Sequence, residues 1–122
     1  MKSMIVKANS LTEFKTPECC FISELWNQSE DDSVSIALAR VEKGIRTQSH
    51  YLKGVDERCL IIAGNGRVEI QGLAPTEVEA GDLVVIPAGK SQRIENIGKT
   101  NLLFYCICTP RFNPECYHST EE

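Results

Sequence analysis

Arg58-Cys59-Leu60-Ile61-Ile62-Ala63-Gly64-Asn65-Gly66-Arg67-Val68-Glu69-Ile70-Gln71 is the stretch on which the fold turns. Two β-rich runs meet at Gly64-Asn65-Gly66. Asn-Gly between such runs is the strongest short hairpin signal, because both central residues must tolerate positive φ. Beyond it Val68 and Ile70 alternate with Arg67, Glu69 and Gln71, the mark of a half-buried strand. A hairpin is expected here. Upstream, residues 33–41 alternate as well, with Val34, Ile36 and Leu38 on one face and small residues opposite. Downstream, Ala80-Gly81-Asp82 turns the chain into Leu83-Val84-Val85-Ile86, apolar on both faces and stopped by Pro87, which lacks a ladder donor. Residues 91–96 alternate again, and residues 101–109 form the last strong strand. Long helical patterns are absent, and residues 12–14 and 115–118 are expected to form a turn at most.

These segments predict an all-β sandwich or barrel, with strands near residues 33–42, 47–52, 57–63, 67–71, 83–86, 91–96 and 101–108. The length of 122 residues suits one domain over residues 1–122, its core at about 33–109 and an arm outside it at each end. Net charge is −4 and no Lys/Arg cluster occurs, which argues against a nucleic-acid binder. No apolar run approaches the roughly 18 residues of a membrane helix, so no membrane partner is expected. Met1-Lys2-Ser3-Met4-Ile5-Val6-Lys7 is followed by no apolar stretch of signal-peptide type, and a cytoplasmic setting is expected. In that setting Cys19, Cys20, Cys59, Cys106, Cys108 and Cys116 should be free thiols, mostly small buried hydrophobes on strands. Cys116 is expected to be the most exposed of them and His118 to lie in a mobile tail.

Two spacings carry a resemblance. Gly44, His50, Leu52, Glu57 and Gly64 stand at the intervals of the pattern G-xxxxx-H-x-H-xxxx-E-xxxxxx-G. Gly81, Pro87, Gly89, Gln92 and Asn96 stand at those of G-xxxxx-P-x-G-xx-H-xxx-N. The chain resembles the small single-domain cupins of bacteria, and Cys108-Thr109-Pro110-Arg111-Phe112 also resembles their conserved-barrel group. The resemblance implies a double-stranded β-helix, a jelly-roll barrel. It also implies a metal site at four positions, of which His50 and Glu57 keep the family residue. Leu52 replaces the second histidine of the first motif and Gln92 the histidine of the second.

Strand geometry puts His50 and Leu52 on one face, with Glu57 opening the next strand and Gln92 arriving from a spatial neighbour. Cys59 and Ile61 follow Glu57 at the same parity and join Leu52 as pocket residues. By the resemblance, His50, Glu57 and Gln92 are the candidate metal set for one weakly held divalent transition ion (zinc, iron, nickel or manganese), or hold no metal and bond to one another. Arg40 shares the parity of Ile36 and Leu38, so it either faces the pocket to meet an anionic ligand or ends a strand in solvent. Three uses stay open: a small-molecule binding module, a metal-dependent enzyme of dioxygenase, decarboxylase or isomerase type, and a non-catalytic dimer. A homodimer is expected because Leu83-Val84-Val85-Ile86 needs cover on both faces.

Overall fold

The computed structural model describes residues 1–121. Eleven strands run through them: β1 (Phe14–Lys15), β2 (Phe21–Trp26), β3 (Ser35–Val41), β4 (His50–Leu52), β5 (Asp56–Ala63), β6 (Asn65–Ile70), β7 (Thr76–Glu79), β8 (Leu83–Ile86), β9 (Gln92–Asn96), β10 (Leu102–Thr109) and β11 (Tyr117–Ser119). They form two antiparallel sheets, one in the order β1-β2-β3-β10-β5-β8 and the other β11-β4-β9-β6-β7. This is the expected all-β, jelly-roll barrel. Among the described residues no helix is long and apolar enough to cross a membrane.

The expected hairpin at Gly64-Asn65-Gly66 is instead a corner. β5 belongs to the first sheet and β6 to the second, and β6 pairs with β7 and β9. Gly64 makes the corner possible: its φ is +85°, and a Cβ there would lie 2.7 Å from the Asn101 carbonyl oxygen. Positive φ is what the local sequence announces. Whether the chain then folds back or crosses to another sheet depends on partners distant in sequence.

The arms are also more ordered than expected. β1 and β2 extend the first sheet, and β11 pairs with β4 in the second. Cys20 and Cys116, one from each arm, are buried, at 3% and 6% exposure. Cys116 is thus not the exposed thiol; that is Cys19, and all six cysteines are free. His118 does not lie in a loose tail either, because its ring stacks on Tyr51 with centroids 5.0 Å apart.

Strand β3 reverses the expected facing. Its buried positions are Ser35, Ala39 and Val41, while Ile36, Leu38 and Arg40 look outward. The larger apolar residues lie outside because the small ones leave room for a cavity within. On the outer face, cross-strand pairing lines up Leu38, Tyr105, Leu60 and Leu83 across four strands. Leu83 and Val85 are 57% and 56% exposed, whereas Val84 and Ile86 are buried. The interior core is a cluster that includes Val41, Ile61, Val68, Ile94, Leu102 and Phe104. Asn96 braces it, donating to the carbonyls of Val41 and Thr100 at 2.9 and 2.8 Å and accepting from Gly98 N–H at 3.0 Å.

Candidate functional site

At one end of the barrel the inward face turns polar. His50 on β4 pairs in register with Gln92 on β9. Glu57 arrives on β5 from the opposite sheet, and the Gln92 side-chain amide donates to its Oε1 at 2.7 Å. The His50 Nδ1 donates to the Gln48 carbonyl at 2.9 Å, since a carbonyl only accepts. That bond fixes the tautomer: the proton is on Nδ1, and Nε2 keeps a lone pair for a proton, a metal or a ligand. Tyr117 of β11 stacks on the imidazole with centroids 4.6 Å apart, and its hydroxyl donates to Gln48 Oε1 at 2.9 Å. The C-terminal arm therefore holds the histidine in orientation.

Sequence reasoning missed Tyr117 and also a carboxylate. Glu18, from the segment between β1 and β2, places Oε2 at 3.5 Å from His50 Nδ1. It stands 32 residues before His50 in no motif, so only pairing of the arm with the sheet reveals it. Burial pushes its carboxyl up to about 7, against a hydrogen bond with Cys20 that opposes the shift. Burial likewise raises Glu57, more than its bond with Gln92 and the nearby His50 lower it. Ionising a carboxyl in a dry site costs more than in water, so both hold a proton more strongly than a surface glutamate.

Two cavities meet at these groups. The inner one, of about 50 Å³, runs past Cys59 to Val84, Ile94 and Phe104. The outer one, of about 240 Å³, is walled by Leu52, Phe112, Tyr117 and Cys108 among others. Glu18, Ile22, His50, Glu57 and Cys106 border both. Of the expected pocket residues, Leu52 lines the outer cavity and Cys59 the inner one. Ile61 lies a layer deeper, packed in the core at 1% exposure, because it is two residues further down β5. Arg40 is outside the barrel, forked onto Glu13 at 2.8 and 2.9 Å with Phe21 beneath its guanidinium. It brings no positive charge to the pocket. Arg93, which borders the inner cavity, is paired with Glu69.

The donor set defines what ion these residues suit. His50 Nε2 and a Glu57 oxygen are good ligands, while a neutral amide such as Gln92 is a weak one and Leu52 offers none. Such a set fits a divalent ion held loosely, with water completing its shell.

The profile of the cupin domain matches residues 37–108, and the chain belongs to that family. An uncharacterized protein of Methanocaldococcus jannaschii is 28% identical over 117 residues, covering 94% of this chain and 93% of its own. A protein of Thermotoga maritima described as a predicted oxalate decarboxylase shares the fold at TM-score 0.79 and 22% identity, over 88% of this chain and 99% of that one. Pac13, a nucleoside dehydratase from Streptomyces, superposes at TM-score 0.81 with 13% identity, over 98% of this chain and 92% of its own. At these identities the two structures speak for the fold alone.

Proposed function

We propose that the open end of the barrel binds a small molecule whose polar group is read by His50, Glu57 and Gln92. The carrying observation is the cavity of about 240 Å³ that ends on His50 and Glu57 and is otherwise mostly apolar, with Leu52 and Phe112 in its wall. A few convergent polar groups in an apolar cleft are the usual make-up of a ligand site. Charge selects the ligand class. Three glutamates, Glu18, Glu24 and Glu57, line the cavities, and the neighbouring arginine is already paired, so a neutral hydroxylated molecule or an amine is favoured over a carboxylate. A divalent transition metal on His50 and Glu57, with Gln92 beside it, is an accessory to this reading; it would polarise a ligand oxygen.

Ligand-observed NMR against neutral polyols, amines and carboxylates of similar size tests this. Polyols or amines should bind, with binding lost in Glu57→Gln and His50→Ala. Preference for carboxylates, or binding indifferent to both substitutions, contradicts it. Restoring the family's four ligands with Leu52→His plus Gln92→His should raise divalent-metal affinity by orders of magnitude, and an unchanged affinity would mean that the four positions do not converge.

A catalytic use of the same groups is the second reading, favoured by the Nε2 of His50 beside carboxyls whose hold on a proton burial strengthens. Such a pair can accept one proton and return another. The occurrence of a nucleoside dehydratase on a similar barrel supports the idea that this architecture can host such chemistry.

The row Leu38, Tyr105, Leu60 and Leu83, with exposed Val85 beside it, supports the further proposal of a single-domain homodimer closed over the outer sheet face. Sedimentation should give twice the chain mass, and Leu83→Glu should halve it. A monomeric wild type at micromolar concentration would end this proposal.

A further inference from the structure

Below His50 the barrel wall carries an unusual block of side chains. Glu57 on β5 faces Cys108 on β10, and Cys59 faces Cys106 in the next register pair but one. Period two puts all four on the inner face, side by side on neighbouring strands. The ligand atoms of Glu57, Cys59 and Cys106 lie within 4.8 Å of one another. Cys108 borders the outer cavity together with Glu57 and Cys106. All these sulfurs are free thiols. A single buried cysteine is ordinary packing. Two thiols around one carboxylate, with cavity on both sides, make a donor set.

We propose that Glu57, Cys59 and Cys106 form a metal site for a thiophilic divalent cation of the zinc type, one layer deeper than His50. Tetrahedral zinc takes sulfur at about 2.3 Å, so two bound sulfurs stand roughly 3.8 Å apart. Closing the cluster onto an ion thus asks the two sulfurs to approach by at most about 1 Å, within reach of χ1 adjustment on a rigid sheet. Each thiol, and Glu57 wherever its carboxyl is protonated, gives its proton to solvent as its bond to the metal forms, so one cation replaces two or three protons. Glu57 supplies the third donor, and Cys108, His50 or a water supplies the fourth. The soft sulfurs offset the two imidazoles that Leu52 and Gln92 replace, and the ion they favour differs from the one an imidazole set would take. The site shares Glu57 with the small-molecule reading but does not need Gln92, so the two can fail separately.

Anaerobic titration of the reduced, metal-free full chain with Co²⁺ is the test. A sulfur-to-cobalt charge-transfer band should rise in the near ultraviolet, saturate at one ion per chain and vanish on adding Zn²⁺. Cys59→Ser and Cys106→Ser should each weaken Co²⁺ binding about tenfold or more and diminish the band, whereas Gln92→Ala should keep it. If the serine variants do not fold, the ¹¹³Cd resonance of the cadmium-loaded wild type decides, because each sulfur ligand moves it strongly downfield. Cobalt bound without a charge-transfer band, a band untouched in both folded serine variants, or a cadmium resonance in the oxygen and nitrogen range overturns the site. Small-molecule binding through His50 would survive that outcome.

Discussion

Glu57 and Ile61 stand on the same inward face of β5, four residues apart, in opposite environments. Around Ile61 the barrel is closed: Val41, Val68, Ile94, Leu102 and Phe104 fill the space and Asn96 ties the chain crossing. Around Glu57 it is open, with cavities on two sides and His50, Gln92 and Glu18 as neighbours. β9 repeats the contrast, since Gln92 and Ile94 are both buried and inward, one polar and one apolar. Strand geometry is uniform along the barrel, so side-chain identity alone separates scaffold from site. Small residues on β3, Ala37 and Ala39, keep the open end from being filled.

The largest expected difference between the two ends is in stability. Ile61→Ala should cost about 2–5 kcal/mol, because a rigid, filled surround cannot collapse onto the lost methyl groups. Urea unfolding should show a lower midpoint with an unchanged slope. A cost near zero would mean that the closed end is not packed.

Next in size is a pH effect from the open end. Glu18 titrates at about 7 in the fold against an ordinary value of 4.5. Between these values the folded state binds more protons than the unfolded one, so stability falls as pH rises. The contribution is fully present below about 4.5 and lost as pH passes about 7. At about 1.4 kcal/mol per unit it is of order 3–4 kcal/mol, and Glu57 acts with the same sign. Glu18→Gln should flatten this slope and be the more stable protein at pH 8. Unfolding free energies at pH 4.5, 6 and 8 check it; a wild type that gains stability over that interval contradicts the burial of these carboxyls.

The smallest effect belongs to neither end. Arg40→Ala removes an exposed pair with Glu13 and should cost roughly 0–1 kcal/mol. Ligand binding should not change, and a large loss of binding would return Arg40 to the pocket.

Much of this was legible in the sequence. The resemblance carried by the intervals around His50, Glu57 and Gln92 implies which residues meet, whereas strand parity and turn length, being local, place only His50 beside Leu52 and Glu57 in line with Cys59. Where neighbours come from was less legible. The Gly64 corner looks like a hairpin until β6 is seen to pair with β7 and β9. Facing on β3 was misjudged because bulk normally marks the inside, whereas here Ile36 and Leu38 sit outside and alanines face the cavity. Phe21–Trp26 lacks clean alternation, yet it is a strand of the first sheet, held by its ladder with β3. Glu18 and Tyr117 reach His50 only through the arms, and no spacing links them to it.

The measurement that meets the central claim most directly is the ¹⁵N spectrum of the His50 ring, assigned against His118→Gln. It should be recorded in the free protein and with a bound polyol or amine. The account predicts that the neutral ring carries its proton on Nδ1, as the Gln48 carbonyl requires, and so has its lone pair on Nε2. On binding, Nε2 should be the nitrogen that moves. A ring protonated at Nε2 and bare at Nδ1, or a ligand that binds and leaves both nitrogens where they were, would contradict the open end of the barrel as the site.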